Sequence, residues 1–265
     1  MKTEKQHFRV PVEAGTHVHA YIARPTPIRK KRTLFIFSHG FSVDGTESYR
    51  LFIELSNILS SLGYPSILFD YRGSGYSDLG FEDMTFDTEL ADLNAIVDFS
   101  HKIFPKHQIA LWGMSFGCSL VASIASQRSD IAFMILWCLS AELYNRYREK
   151  LGPEIEERGY TYIDKGFKVK REFLESLKNR DIYAAIRDAA IPCLLVHGDA
   201  DTTASIELSR TAHKSAPNNT TLHEIKGGNH GFKLQPAQYK EAIDITTDWI
   251  KKYTSTKKGC LPIWW

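Results

Sequence analysis

Four cysteines in 265 residues, at positions 118, 138, 193 and 260, are too few and too irregularly spaced for a disulfide framework or a zinc site. Cys118, Cys138 and Cys193 lie in apolar or glycine-turn contexts and read as small core residues. No apolar run approaches the length needed to cross a membrane. The N-terminus, MKTEKQHFRV, lacks the apolar stretch of a secretory signal. A net charge of +2 is too weak to point to nucleic acid. The one basic cluster, Arg29-Lys30-Lys31-Arg32, follows Pro25 and Pro27 and reads as a solvated loop. Internal repeats and low-complexity tracts are absent. These absences predict a soluble, reduced, cytoplasmic protein without a transmembrane segment or a nucleic-acid partner.

What remains is ordinary globular material. Hydrophobic residues make up 43% and charged residues 24%, enough for a full core in one large domain or two small ones. Residues 6–12 and 16–23 read as two strands around Glu13-Ala14-Gly15, an antiparallel hairpin at one sheet edge. Short apolar runs then alternate with helical patterns. Thr33–Ser38, Ser66–Asp70, 109–112, Ile131–Leu139, Cys193–Val196 and Thr220–Ile225 read as strands. Leu51, Leu55, Ile58, Leu59 and Leu62 mark a helix stopped by Gly63, and Phe86, Leu90, Leu93 and Val97 mark another with Thr85 as N-cap. Residues 204–215 read as helical, and Tyr239, Ala242, Ile243, Thr246, Trp249, Ile250 and Tyr253 form a last amphipathic stripe. This alternation predicts a mainly parallel sheet with helices on both faces.

Residues 141–187 break the rhythm. They are rich in charge and aromatics, with a small hairpin expected around Asp164-Lys165-Gly166 and a helix over Arg171–Lys178. An insertion there, between two sheet strands, reads as a lid. The predicted organisation is core 1–140, lid 141–187, core 188–253 and tail 254–265. The tail, with Trp264 and Trp265 at its end, is read as packing on the domain, with partner docking and membrane contact left open.

Chemistry concentrates at Gly113-Met114-Ser115-Phe116-Gly117. An apolar strand leads in and a small-residue helix leads out, the context of a nucleophile elbow. The glycines clear space at a crowded turn, and Ser115 is held at its tip. A serine hydroxyl needs a base, and the base needs an orienting group. Val196-His197-Gly198-Asp199-Ala200-Asp201 follows a strand, where carboxylates point into the crevice of a parallel sheet. Asp201 is the preferred acid, with Asp199 and Glu142 as alternatives. Gly227-Gly228-Asn229-His230-Gly231-Phe232 follows the last strand, and its flanking glycines present His230 as general base. His39 and His197 flank this site and are assigned support roles. For the oxyanion hole the expected donors are the N–H groups of Phe116 and Phe41, the latter from the loop His39-Gly40-Phe41-Ser42.

With these residues assembled, the chain resembles the α/β-hydrolase superfamily, and within it the branch of serine-aminopeptidase-like hydrolases, monoglyceride lipases and cinnamoyl (feruloyl) esterases. His39-Gly40-Phe41, Asp70-Tyr-Arg-Gly-Ser-Gly-Tyr-Ser-Asp78, Gly80-Phe-Glu-Asp-Met-Thr85, His197-Gly-Asp-Ala-Asp201 and His230-Gly-Phe232 carry the resemblance. It implies the α/β-hydrolase fold: an α/β protein with a mainly parallel eight-stranded sheet, helices on both faces and a small lid insertion. The elbow departs from that branch's common Gly-His-Ser-Gln-Gly-Gly, and Thr203-Ala204 replaces its usual Val-Pro.

The expected activity is a cofactor-free, metal-free serine hydrolase that cleaves a carboxylic ester of a largely apolar acyl group. Phe41, Met114, Phe116 and the lid aromatics Tyr160, Tyr162 and Phe167 are read as its acyl pocket. A second reading is a thioesterase on acyl-CoA or acyl carrier protein, with Lys165, Lys168, Lys170 and Arg171 meeting phosphate or an acidic carrier. A third is a noncatalytic ligand-binding module on the same fold.

Overall fold

Strand alternation decides this architecture. In the computed structural model, residues 2–13, 15–26, 33–163 and 166–254 are described. The basic cluster 29–32, the turn residues Asp164 and Lys165, and the tail with Cys260, Trp264 and Trp265 lie outside them. Along Gln108–Met114, Ile109 and Leu111 point into one core while Ala110, Trp112 and Met114 point into the other. Thr33–Ser38 and Cys193–Gly198 alternate in the same way. Strands buried on both faces need a covering layer on each.

The elements in chain order are β1 (Lys2–Pro11), β2 (His17–Thr26), β3 (Thr33–Ser38), α1 (Leu51–Ser61), β4 (Ser66–Asp70), α2 (Phe86–Ile103), β5 (Gln108–Met114), α3 (Phe116–Gln127) and β6 (Ile131–Trp137). Then follow α4 (Leu143–Arg158), β7 (Tyr160–Tyr162), β8 (Lys168–Lys170), α5 (Arg171–Ser176), α6 (Ile182–Ala189), β9 (Cys193–Gly198), α7 (Glu207–Ser215), β10 (Thr220–Ile225) and α8 (Pro236–Thr254). The main sheet has eight strands in the order β1-β2-β4-β3-β5-β6-β9-β10. β1 pairs antiparallel with β2, and β2 with β4; every other neighbouring pair is parallel. Helices α1 and α8 cover one face, and α2, α3, α6 and α7 the other. Strand order reverses between β3 and β5, so the loops after these two strands open a crevice at the sheet's C-terminal edge.

The predicted eight-stranded, mainly parallel sheet is thus present, and several local signals act as expected. Thr85 caps α2 by accepting the Thr88 N–H. Gly63, after α1, has a φ of 90°. Two ends differ: β6 stops at Trp137 because Cys138 turns to a φ of 53°, and α7 begins at Glu207. Between β6 and β9, the small hairpin β7–β8 and the helix α5 match the sequence reading. The sixteen-residue α4 was not anticipated. Neither was α6, which packs against α3.

Helix α2 carries a buried carboxyl pair. Arg72 covers Asp92, its Nε donating to Oδ1 at 2.6 Å and its backbone N–H to Oδ2 at 2.8 Å. Among the described residues, Glu89 Oε2 has no hydrogen-bond partner. Burial, reinforced by the Asp92 charge, pushes the Glu89 carboxyl well above the usual glutamate range. The folded protein therefore keeps a proton that the unfolded chain releases. Stability from this group is complete below the ordinary glutamate pKa and falls as pH rises, by up to about 1.4 kcal/mol per pH unit. Glu89→Gln, shaped like the neutral acid, is expected to flatten that slope in urea unfolding between about pH 5 and 8. An unchanged slope would place the proton elsewhere.

Candidate active site

Ser115 sits at the joint between β5 and α3 with φ 53° and ψ −118°. A non-glycine residue rarely adopts this conformation, so its surroundings must impose it. Its N–H donates to Trp137 O, and its carbonyl accepts from Cys118 and Ser140 N–H. Neighbouring backbone leaves no room for side chains at either flanking glycine. A Cβ on Gly113 would lie 2.6 Å from Cys118 Cα, and one on Gly117 2.1 Å from Ser38 O. The two glycines therefore permit the close approach that holds the serine at the tip.

The loop after β9 brings Asp201 to the loop after β10. His230 Nδ1 donates to Asp201 Oδ2 at 2.7 Å, and Asp201 is 7% exposed. Oδ1 of the same carboxylate accepts the Thr203 and Ala204 N–H groups at 2.8 and 2.9 Å. Burial alone would raise this carboxyl, but hydrogen bonds from His197 and His230, the His230 charge and the Ala204 N–H outweigh it. The net effect holds Asp201 well below the usual carboxylate range, and ionised. The two loops touch closely: Ala200 N–H donates to Gly228 O, and a Cβ on Gly198 would lie 2.0 Å from that oxygen. Of the alternative acids, Asp199 binds the Gly227 N–H, and Glu142 accepts from the Tyr183 hydroxyl.

Both flanking histidines are buried and bonded at each ring nitrogen. His197 Nε2 lies 2.8 Å from Ala204 O and 3.2 Å from Asp201 Oδ2, so it carries the proton; Nδ1 faces Ser209 Oγ at 2.7 Å. His39 Nε2 accepts the Tyr71 N–H, which leaves Nδ1 to donate to Gly40 O at 2.9 Å. Cys138, Asp201 and His230 bring three potential metal-ligand atoms within 4.8 Å. Their proximity already has a cause in the Asp–His bond and in Cys138 Sγ accepting the Gly231 N–H at 3.2 Å.

Ser115 and His230 open onto one cavity of about 710 Å³. Phe41, Val43, Tyr147, Leu151 and Ile163 form its apolar wall. The Phe41 ring is seated among Tyr147, Phe173, Phe81 and Phe116, with centroids 4.9 to 5.8 Å away. Within the described chain, neither the Phe41 nor the Phe116 N–H donates to a protein acceptor.

Five residues read as substrate contacts do not line this cavity with their side chains. Met114 is 1% exposed and belongs to the α1/α8 core, because strand parity sends it to the same face as Trp112. The Phe116 ring is likewise buried, although its backbone stays at the elbow. Tyr160 lies beneath Lys168 and Arg158, Tyr162 is 60% exposed, and Phe167 packs on Phe81. The cavity is also less apolar than expected, since Glu47, Arg146, Glu149, Lys150 and Lys233 line it.

Glu47 escaped sequence reasoning. It is 6% exposed at a φ of 59°, and each carboxylate oxygen takes one backbone N–H. Oε2 accepts from Gly40 at 2.7 Å and Oε1 from Ser48 at 2.8 Å. Together with His39 it grips Gly40 from both sides, directly before Phe41.

Sheet order, elbow and loop placement define an α/β-hydrolase fold. The profile of the α/β-hydrolase-fold family matches residues 33–139. Among solved structures, Est1E of Butyrivibrio proteoclasticus with bound ferulic acid aligns over 94% of this chain and 100% of its own, with a TM-score of 0.85 and 23% identity. The esterase domain of a Rhodothermus marinus protein covers 96% of this chain and 100% of its own, with a TM-score of 0.73 and 20% identity. In sequence the chain is similar to lysophosphatidylserine lipase ABHD12 of Danio rerio, 24% identical over 223 residues. That match covers 83% of this chain and 54% of the relative, so the chain spans about half the relative's length. Among the described residues, no helix is long and apolar enough to cross a membrane.

Proposed function

We propose that this chain is a serine hydrolase that cleaves a carboxylic ester through an acyl-enzyme. The observation that carries the reading is a serine in a strained elbow sharing one cavity with a histidine whose far nitrogen is bonded to a buried, ionised aspartate. Asp201 fixes His230 with its proton on Nδ1, leaving Nε2 to accept the Ser115 proton. Ser115 Oγ attacks the ester carbonyl. The Phe41 and Phe116 N–H groups, unspent among the described residues, stabilise the oxyanion. The protonated His230 gives its proton to the departing alcohol, then takes one from the water that cleaves the acyl-enzyme. The apolar wall around Phe41 takes the acyl group. Residues 141–187 serve as the lid, since Tyr147, Leu151 and Ile163 roof the cavity.

The relatives' printed names, an esterase and a lipase, agree with ester cleavage. The thioesterase reading loses its support. Lys168 and Lys170 pair with Glu82, Lys170 also with Asp83, and Arg171 bonds the carbonyls of Ile155 and Glu156. Lys165 lies outside the described residues.

A fluorophosphonate probe tests the reading. Intact-mass analysis should show one adduct on the wild type and none on Ser115→Ala, with nitrophenyl-ester turnover lost in parallel. A folded wild type that takes no label would leave a noncatalytic binding module as the better account.

A further inference from the structure

We propose that the ester substrate carries an anionic oxyacid group, a carboxylate or phosphate, held by Arg146 and Lys233 of the same cavity. This rests on the reading of Ser115 as nucleophile and names the substrate class of that site.

The basis is an uneven use of cations. Arg72, Arg128, Arg158, Arg180 and Arg210 each meet a carboxylate within hydrogen-bond range, and Arg171, which bonds only carbonyls, is exposed and off the cavity. Arg146 is half-buried on the cavity lining and meets only neutral acceptors: Ser140 Oγ at 2.5 Å and Thr203 O at 2.6 Å. Among the described residues, no carboxylate lies within salt-bridge distance of Arg146, Lys150 or Lys233. The lining has two carboxylates. Glu47 is occupied by two backbone N–H groups, and Glu149 is exposed on α4. A guanidinium partly withdrawn from water without a counter-ion is costly, and its two neutral bonds fix its plane in advance. Its remaining donors suit a planar carboxylate or a phosphate face.

Position ties these cations to the reacting centre. Arg146 is anchored on Thr203, two residues beyond Asp201, and Lys233 follows His230 by three. Lys233 Nζ lies 5.8 Å from the Tyr49 ring, a contact that holds the chain without neutralising the charge. The Phe41 ring packs on Phe173 of α5, on Phe81 and on Tyr147 of α4, which divides the cavity lining into an apolar part and a charged part. An amphiphilic ester fits this division, its apolar part against Phe41 and its anion on Arg146 and Lys233.

Two matched substrate pairs test the idea and separate the two sources of the anion. Nitrophenyl hexanoate against the nitrophenyl half-ester of adipate places a carboxylate on the acyl side. Hexanoylglycerol against hexanoylglycerol phosphate places a phosphate on the alcohol side. At low salt, the anionic member of at least one pair is expected to show kcat/KM about tenfold higher, with the ratio shrinking as salt rises. Arg146→Gln and Lys233→Gln should bring that ratio toward one, whereas Arg146→Lys, which keeps the charge, should retain most of it. Reading the ratio cancels any general loss of activity. Wild-type ratios at or below one, or a preference that both glutamine variants leave intact, would overturn the inference. Fluorophosphonate labelling run alongside separates the two levels. A labelled protein with no anion preference defeats only this inference, and an unlabelled protein without neutral-ester turnover defeats the serine-hydrolase reading beneath it.

Discussion

Asp201→Asn is expected to fold and to lose about 10⁴-fold in kcat. The reason is directional. Asp201 Oδ1 accepts the Thr203 and Ala204 N–H groups, and an asparagine oxygen can keep both bonds. That places the new NH₂ where Oδ2 stood, facing His230 Nδ1 and, at 3.2 Å, His197 Nε2. Both ring nitrogens carry protons in the wild type, so donor meets donor. His197 still has Ala204 O at 2.8 Å. His230 has no second acceptor among the described residues and moves its proton to Nε2. A histidine protonated there cannot take the Ser115 proton. Steady-state kinetics with circular dichroism checks this outcome, and near-wild-type kcat in a folded variant would remove Asp201 from the mechanism. The variant should also resist acid better. A carboxyl held below its usual range adds stability at neutral pH that is lost as pH falls through the folded-state value. Asparagine has no such contribution to lose.

Glu47→Ala is expected to lower kcat by about 10²–10³-fold, the scale of one oxyanion donor, with a much smaller change in KM. Deletion frees the buried Gly40 N–H, at a cost of about 1–3 kcal/mol, and releases one of the two grips on that residue. Phe41 N–H then loses its fixed aim. A ground-state carbonyl depends on that aim less than the oxyanion does, so the loss falls on kcat. Glu47→Gln should be intermediate: its oxygen can serve Gly40, but its NH₂ then faces the Ser48 N–H. Active-site titration with fluorophosphonate distinguishes positioning from simple damage. If Glu47 only supports folding, the labelled fraction falls while turnover per labelled site stays constant. The positioning role predicts the reverse.

The sequence made the sheet legible because β3, β4, β5 and β9 are short apolar runs closed by glycine or polar turns. It made Ser115, Asp201 and His230 visible as candidates because each sits just past a strand, in motifs shaped by glycine, and the structure brings them to one crevice. The cavity walls were harder to see. Leu143, Tyr147, Leu151 and Ile155 recur every four residues along α4, but the charged residues between them and an internal Pro153 hide the helix. Met114 flanks Ser115 in sequence, but strand parity turns its side chain into the α1/α8 core. Glu47 lies on no periodic pattern, and its role exists only because the chain turns back on Gly40. Long-range contacts of this kind leave little trace in local sequence.

One face of α4 carries Arg146, Tyr147, Lys150 and Leu151, and so contributes to both the charged and the apolar walls. The proposed reacting groups, Ser115, Asp201 and His230, stand elsewhere, on turns after β5, β9 and β10. On the proposed reading, bond-breaking and choice of ester rest on separate parts of the chain. Substitutions along a single solvent-facing helix can retune what enters without disturbing the elbow, whose glycines tolerate no side chain.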